Sequence, residues 1–308
     1  MMMTNNAVES RDNVKSKKKR SQWVDIWRRL RRNPVGMIGL FIVIMLILTA
    51  IFADVISPAI YSPVFGEVPA YAYQDIPNRN LPPSAEFPFG TDTFGRCIFA
   101  RVIHGSRISL LVGFVVVSVS MTAGVALGTV AGYYGKFIDS AIMRVIDIVL
   151  AIPFLLLAIS IAAALGASLV NLMIAVGIST VPFFARQVRS SVLSVREMEF
   201  IEAAKAVGTS DLRIMFKHVL PNCMAPIIVR ATMGMASAIL SAAALSFIGL
   251  GVQPPTPEWG AMLSEGQRFI RDYPHQTLFP GLAIAFVVFG LNMLGDGLRD
   301  VFDPRLKR

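Results

Sequence analysis

Six long apolar runs limit what this chain can fold into, because each is about as long as a bilayer is thick. They lie at 35–57, 107–132, 139–164, 169–190, 223–250 and 279–299. A spanning helix needs roughly 20 apolar residues. Backbone polar groups find no water inside lipid, so such runs must form helices. With 54% hydrophobic and only 16% charged residues, the sequence predicts an all-α polytopic membrane protein with six transmembrane helices.

The basic residues predict how these helices are oriented. If all six runs span, 22 of the 29 Lys and Arg residues fall on one side, six fall on the other, and Arg230 lies within the fifth run. The positive-inside rule then places both termini in the cytoplasm of a multi-pass protein of the bacterial cytoplasmic membrane. The net charge of +9 is explained by these flanks, so no nucleic-acid partner is expected.

The spans predict the organisation of the rest of the chain. Residues 1–12 are expected to be disordered, and 35–57 is read as a retained anchor because no convincing cleavage site follows it. The predicted parts are a basic cytoplasmic tail with an interfacial segment at 1–34, a first transmembrane helix at 35–57, an extracytoplasmic loop at 58–106, a five-helix core at 107–301 and a cytoplasmic tail at 302–308. The core includes a polar element at 197–221 and an outer loop at 251–278.

The longest polar, patterned segment between two apolar runs is 199–222. Apolar residues recur there at helical spacing, first at Phe200, Ala204 and Val207, then at Leu212, Met215, Phe216 and Val219. Gly208 is expected to end the first helix in a left-handed conformation. Thr209 or Ser210 would cap the second helix, and Pro221 would end it. The sequence thus predicts two short amphipathic helices, docked either in a groove of a partner protein or on lipid headgroups.

This element also carries a family resemblance. Glu202-Ala203-Ala204, followed by Gly208, Ile214 and Leu220-Pro221, resembles the EAA signature of ABC-importer permease subunits, with the Gly and the Leu-Pro at the expected offsets. The resemblance implies a type I importer permease whose EAA element sits in a cleft of a cytoplasmic ATPase. Carried over by position, the residues implied in coupling are Glu202, Ala203, Ala204, Gly208, Thr209, Ile214, Leu220 and Pro221.

Two outer segments resemble the branch of these permeases that serves dipeptides, oligopeptides and nickel. Residues 89–96 read FGTDTFGR, like the branch's FGTD..GRD segment, but Cys97 replaces the acidic residue that follows the Arg. Residues 246–260 resemble its SF.GLG.QPP.PEWG run, and 295–300 read GDGLRD. The branch implies short peptides as cargo, with nickel or glutathione as alternatives.

The resemblance also implies partners for this chain. They are a homologous sister permease, two cytoplasmic ABC ATPase subunits and an extracytoplasmic solute-binding protein, beside the lipid membrane itself. ATP and magnesium would be bound by the ATPases, so the chain itself needs no cofactor.

Enzyme chemistry finds little support in the residues. Gly135-Lys136 lacks the Ser or Thr and the earlier Gly of a P-loop. The three His residues are scattered over both predicted faces, so they form neither a catalytic triad nor a zinc site. Cys97 and Cys223 fall on opposite sides, which excludes a disulfide. We therefore expect no catalytic or metal site, and keep two further alternatives: an ion-driven carrier and a receptor or scaffold.

Charged and small residues within the spans complete the predictions. Arg144 and Asp147 are expected to pair with each other, and Arg230 to reach the cytoplasmic interface rather than line a pathway. No pathway residue is predicted.

Small residues recur every four positions at Gly124, Gly128 and Gly132 and at Gly234, Ala238, Ala242 and Ser246. They predict close helix packing, within the chain rather than at a subunit interface.

Overall fold

The computed structural model of the chain describes residues 22–62 and 66–303. The predicted disorder at 1–12 and most of the tail at 302–308 lie outside them. The α-helices are α1 (Gln22–Leu30), α2 (Pro34–Ile51), α3 (Ala53–Ile56), α4 (Ile98–Tyr134), α5 (Lys136–Leu150), α6 (Phe154–Leu165), α7 (Leu169–Arg196), α8 (Glu199–Ala206), α9 (Asp211–Ile214), α10 (Leu220–Phe247), α11 (Trp259–Gly266) and α12 (His275–Phe302). A short antiparallel hairpin pairs β1 (Ile60–Ser62) with β2 (Gly66–Val68). The all-α prediction is confirmed.

The long helices form a bundle with two distinguishable ends. At one end Asn33, before α2, donates a hydrogen bond to Asp300 near the end of α12 at 2.9 Å. At the other end the Arg107 side chain, early in α4, donates to the carbonyl of Ala50 at 2.5 Å. Helices α2 and α10 run in one direction and α4, α7 and α12 in the other, so the starts of α2 and α10 and the ends of α4, α7 and α12 share one end. We call it the terminal end, and the opposite end, which carries the loops at 57–97 and 248–274, the loop end.

Five helices are long and apolar enough to cross a membrane, and the α5–α6 pair makes a sixth crossing if it is counted as one span. The third apolar run is therefore not the continuous helix expected at 139–164. It is broken at residues 151–153 with a bend of 84° between α5 and α6. Pro153 causes the break, because it donates no backbone hydrogen bond and disfavours a helical residue before it. At about 18 Å, α6 alone is too short to cross.

Small residues bring the long helices close together, as predicted. A side chain at Gly124, Gly128 or Gly132 of α4 would collide with α7, at Phe184, Ala185 or Val192 respectively. Ala238 and Ala242 of α10 belong to the same buried core as Val112, Val116 and Leu172. At the terminal end the backbones of α2 and α12 meet where Gly36 faces Gly297. These contacts confirm that the small-residue faces pack within the chain.

At the loop end, a buried ionic cluster holds the segment before α4 against α11. Asp92 accepts hydrogen bonds from Arg96 at 2.6 Å and from Arg101 at 2.8 Å. Glu265 of α11 accepts from the same two arginines at 2.7 and 2.6 Å. Arg96 and Arg101 are only 2% and 1% exposed, so loss of one partner would leave a buried charge uncompensated. The residues of the FGTD..GR segment thus fix the outer loop to the bundle.

The starts of α4 and α11 differ in how they are capped. Glu258, before α11, accepts hydrogen bonds from the backbone N–H groups of Gly260 and Ala261 at 3.0 and 2.8 Å. Burial nevertheless raises the pKa of the Glu258 carboxyl. Cys97 occupies the corresponding N-cap position of α4, and its side chain makes no capping hydrogen bond. The acidic residue usual here in the resembling branch would supply the missing acceptor. Cys97 and Cys223 are both free thiols.

Candidate functional site

The candidate site is the predicted element at 197–221, which projects from the terminal end of the bundle. Its inner side is held by a hydrophobic core in which Ile201, Ile214 and Val219 are fully buried. These residues pack with valines near the end of α7 and with Tyr133 at the end of α4; the valines are Val188, Val192 and Val195. The element is therefore firmly attached to two long helices.

The turn inside the element has the predicted form. Gly208 has a φ of +77°, in the left-handed region that favours glycine. Its N–H donates to the carbonyl of Lys205 at 2.9 Å, and the N–H of Thr209 donates to the carbonyl of Ala204 at 3.1 Å. This pair of bonds is a Schellman motif, which satisfies the last carbonyls of α8. Ser210 then occupies the N-cap position of α9, without a capping hydrogen bond from its side chain.

Two side chains fasten the element to the end of α4. The Arg196 guanidinium donates to the carbonyls of Gly132 and Tyr133 at 3.0 and 3.3 Å, and so satisfies carbonyls that the end of α4 leaves unpaired. The Tyr133 hydroxyl donates to the Asp211 carboxylate at 2.7 Å. Lys205 lies over the Tyr133 ring, 5.5 Å from its centre. Both halves of the element thus contact the same turn of α4.

The second half of the element is not the separate short helix that the sequence predicts. A π-helical turn, Met215–Val219, joins α9 to α10, and the whole stretch Asp211–Phe247 is one helix of 37 residues. Pro221 does not end a helix; it lies in the first turn of α10, where a proline's missing N–H costs least. In the π turn the backbone hydrogen bonds join residues five apart. This displaces the carbonyls before Pro221 and leaves room for the proline ring.

The predicted coupling residues divide by exposure. Glu202, Ala203, Gly208 and Pro221 are exposed, Ala204, Thr209 and Leu220 are half-buried, and Ile214 is fully buried. Sequence periodicity alone missed the large apolar side chains that stay outside the core. Val207, Leu212 and Phe216 are 80%, 64% and 69% exposed. The element therefore presents apolar and charged groups of both signs on its outer side.

Ion pairs near the terminal end differ from the predicted one. Asp147 pairs with Arg186 of α7 at 2.7 Å, so the expected Arg144–Asp147 pair is wrong, and Arg144 is exposed. Asp139 pairs with Arg189 of α7 at 2.5 Å through two hydrogen bonds. Sequence spacing favours partners on one helix, whereas here the nearer cations stand on α7, which packs beside α5.

A cavity of about 460 Å³ opens among α7, α10 and α12 at the same end. Its lining residues are Gln187, Ala225, Pro226, Val229, Arg230, Met233, Arg299, Phe302 and Asp303. Arg230, which the sequence placed at the interface, lies here with its guanidinium 5.8 and 5.7 Å from the ring centres of Phe183 and Phe184. A second, almost wholly apolar groove of about 510 Å³ runs between α4 and the element, and Leu212 and Phe216 are part of its lining.

Most of the chain is similar to known protein families and relatives. Residues 124–308 fit the family described as "binding-protein-dependent transport system inner membrane component", and residues 21–83 fit the "N-terminal TM domain of oligopeptide transport permease C". The chain is 51% identical to the dipeptide transport system permease protein DppC of Alkalihalophilus pseudofirmus, over 93% of this chain and 91% of that one. It is 45% identical to the glutathione transport system permease protein GsiD of Escherichia coli O157:H7, over 96% and 94%.

Among solved structures, an inward-facing form of the MetNI methionine ABC transporter has a similar fold. The TM-score is 0.56 with 18% identity, over 66% of this chain and 97% of that one. At this identity the likeness concerns the fold only.

Proposed function

This chain belongs to the family of inner-membrane components of binding-protein-dependent transport systems, and we propose from this that it is the permease subunit of an ABC importer for short peptides. The observation that carries the cargo class is the 51% identity to a dipeptide permease over nearly the whole length of both chains. The glutathione permeases are less similar, at 44–45%, and glutathione is itself a short peptide. Nickel has no comparable support among these relatives.

The element at 197–221 is the docking site for a cytoplasmic ATPase in this proposal. Three features support it: the EAA residues Glu202 and Ala203 are exposed, apolar side chains remain uncovered beside them, and the element is fixed to α4 and α7. Apolar anchors rimmed by charges suit a protein groove better than a lipid surface, where a one-sided cationic face would be expected. ATP binding and hydrolysis then belong to the partner.

The transport mechanism follows from how this site is attached. Closure of two ATPases around ATP would displace the docked element. Since Asp211–Phe247 is one helix, that displacement reaches the loop end directly and biases the bundle between its inward and outward openings. The terminal end, with both chain termini, faces the cytoplasm in this scheme, in line with its excess of Lys and Arg. The loop end receives the solute-binding protein, and a sister permease completes the pathway.

The experiment is to extract the chain from its native membrane in mild detergent and identify what travels with it by mass spectrometry. A sister permease and ATPases are expected. The assembled complex in proteoliposomes, given ATP and the co-encoded binding protein, should then take up a labelled dipeptide. A chain that is extracted alone, and that moves the dipeptide in vesicles with only an ion gradient, would instead be a secondary carrier. A chain whose deletion leaves dipeptide uptake unchanged would be a receptor or scaffold.

A further inference from the structure

The cavity at the terminal end contains an arginine with a buried nitrogen that finds no hydrogen-bond partner among the described residues. Arg230 lies within an apolar helix, and within residues 22–62 and 66–303 its Nε is buried without a hydrogen-bond partner. A cation inside a membrane span is costly, and it is usually kept for a function.

The neighbours of Arg230 stabilise the cation but leave its hydrogen bonds open. The guanidinium carbon of Arg230 lies over the rings of Phe183 and Phe184, and ring faces favour a cation there. Ring faces do not accept the in-plane N–H groups as an oxygen would. A guanidinium held in this way can still donate two parallel hydrogen bonds to one oxyanion, the geometry in which arginine binds a carboxylate.

Three further polar groups line the cavity: Arg299, Gln187 and the carboxylate of Asp303, which directly follows α12. Arg299 comes from α12 and Gln187 from α7, whereas Arg230 belongs to α10. Apolar lining from Val229, Met233 and Phe302 surrounds them. A few polar groups in a mostly apolar cavity of several hundred Å³ are the ordinary make-up of a small-molecule site. Two of these groups are cations and one, Asp303, is a carboxylate, so the lining has a net positive charge, which favours an anion.

We propose that Arg230 and Arg299 bind the terminal carboxylate of the transported peptide on its way to the terminal end. The inference rests on the proposed function, because it takes a short peptide as the cargo. Every short peptide with a free C-terminus presents this carboxylate whatever its side chains, and a volume of about 460 Å³ accepts a dipeptide. A site that recognises the carboxylate therefore serves a cargo of varied sequence. The rival ligand with similar chemistry is the phosphate of a membrane lipid.

The first test measures binding to the nucleotide-free complex of both permeases and the ATPases, without the binding protein. The probes are labelled alanyl-alanine and its C-terminal amide. Leaving out the binding protein removes its own selection for the carboxylate. The free acid should bind at least tenfold more tightly than the amide, and Arg230→Met should abolish this difference. Arg230→Lys, which keeps the charge but not the fork of donors, should retain part of it. Arg144→Gln, an exposed arginine outside the cavity, should leave it unchanged.

The second test follows transport by the full importer in proteoliposomes. Arg230→Met should lower dipeptide uptake per ATP hydrolysed by about tenfold, while stimulation of the ATPase by the loaded binding protein stays within twofold of the unmodified complex. A variant that merely misfolds would lose both.

The inference is overturned if acid and amide bind the unmodified complex equally, if neither binds saturably, or if Arg230→Met leaves their difference intact. It is also overturned if native mass spectrometry finds a phospholipid that Arg230→Met releases and alanyl-alanine does not displace. In each case normal dipeptide uptake by the unmodified importer leaves the proposed function standing. Failure of that uptake would refute the proposed function instead.

Discussion

The Tyr133 hydroxyl donates a hydrogen bond to the Asp211 carboxylate at 2.7 Å, and so joins the last turn of α4 to the first residue of a helix that begins 78 positions later. Removing the hydroxyl with Tyr133→Phe should loosen this junction by about 1 kcal/mol, the usual value for a partly exposed hydrogen bond. Amide hydrogen exchange at 211–214 should then become about fivefold faster.

Tyr134→Phe is the matched control for that change. Tyr134 is the next residue along α4 and is exposed, so loss of its hydroxyl should leave exchange at 211–214 as it was. Equal exchange in the two variants would mean that the Tyr133–Asp211 bond does not hold the element in place.

Gly208→Val should uncouple uptake from ATP hydrolysis. A Cβ at Gly208 would meet no atom within 4 Å, so the cost comes from the left-handed backbone alone, about 1–2 kcal/mol for a residue with a side chain. Peptide uptake per ATP should fall roughly fivefold to thirtyfold, measured in proteoliposomes. Gly208→Asn, which tolerates this conformation, should fall much less.

The same substitution at a second glycine distinguishes a loss of coupling from a general effect of backbone strain. Gly166, between α6 and α7 at the loop end, has a φ of +89° and equally open surroundings. Gly166 has a ψ of 157°, a conformation essentially confined to glycine. Gly166→Val therefore carries a backbone cost at least as large away from the element, and it should lower thermal stability without changing uptake per ATP. Wild-type coupling in Gly208→Val would refute the coupling role of this turn.

Cys97→Asp should stabilise the protein. Cys97 is the N-cap of α4 and makes no capping hydrogen bond, and an aspartate there can accept from the free N–H groups of the first turn and favourably meet the helix dipole. The expected gain is about 1 kcal/mol, seen as a higher midpoint of thermal unfolding in detergent. Cys97→Ala brings no acceptor and should leave the midpoint nearly unchanged. A midpoint for Cys97→Asp no higher than that of Cys97→Ala would contradict the capping argument.

Asp92→Asn should be strongly destabilising at the loop end. The carboxylate bridges Arg96 and Arg101 in a buried cluster, and a buried pair that loses one partner typically costs about 3–5 kcal/mol. Limited proteolysis of the loop at 57–97 should become much faster. Asp54→Asn removes the partner of Arg107 from a pair in which Asp54 is 73% exposed, and should have little effect because solvent screens such a pair. Similar proteolysis in both variants would count against the cluster as the anchor of this loop.

Features that depend on local chemistry could be predicted from the sequence. The apolar runs gave the crossings, because burial of apolar side chains in lipid needs no tertiary information. Gly208 predicted the left-handed turn for the same reason: its conformation is decided within a few residues. The small residues of α4 likewise predicted close packing, since only small side chains allow it.

Features that depend on which helices become neighbours could not be predicted. Asp147 finds Arg186 across a helix interface, a choice that spacing along one helix does not reveal. Pro221 looked like a stop because the sequence does not show the π turn that admits it. Pro153 was an overlooked local signal, since a proline favours a break. Pro182, Pro226 and Pro280 nevertheless lie inside continuous helices, so a proline in an apolar run does not by itself locate a break.

The unbroken helix from Asp211 to Phe247 has a mechanical consequence. At 1.5 Å per residue it is about 55 Å long, nearly twice the thickness of the hydrocarbon core. A tilt of about 10° around its midpoint would carry its two tips about 5 Å in opposite directions. The helix then acts as a rigid lever. Opening of the bundle at one end is coupled to closing at the other end. Simultaneous opening at both ends, which would let solutes leak across the membrane, would require this helix to bend.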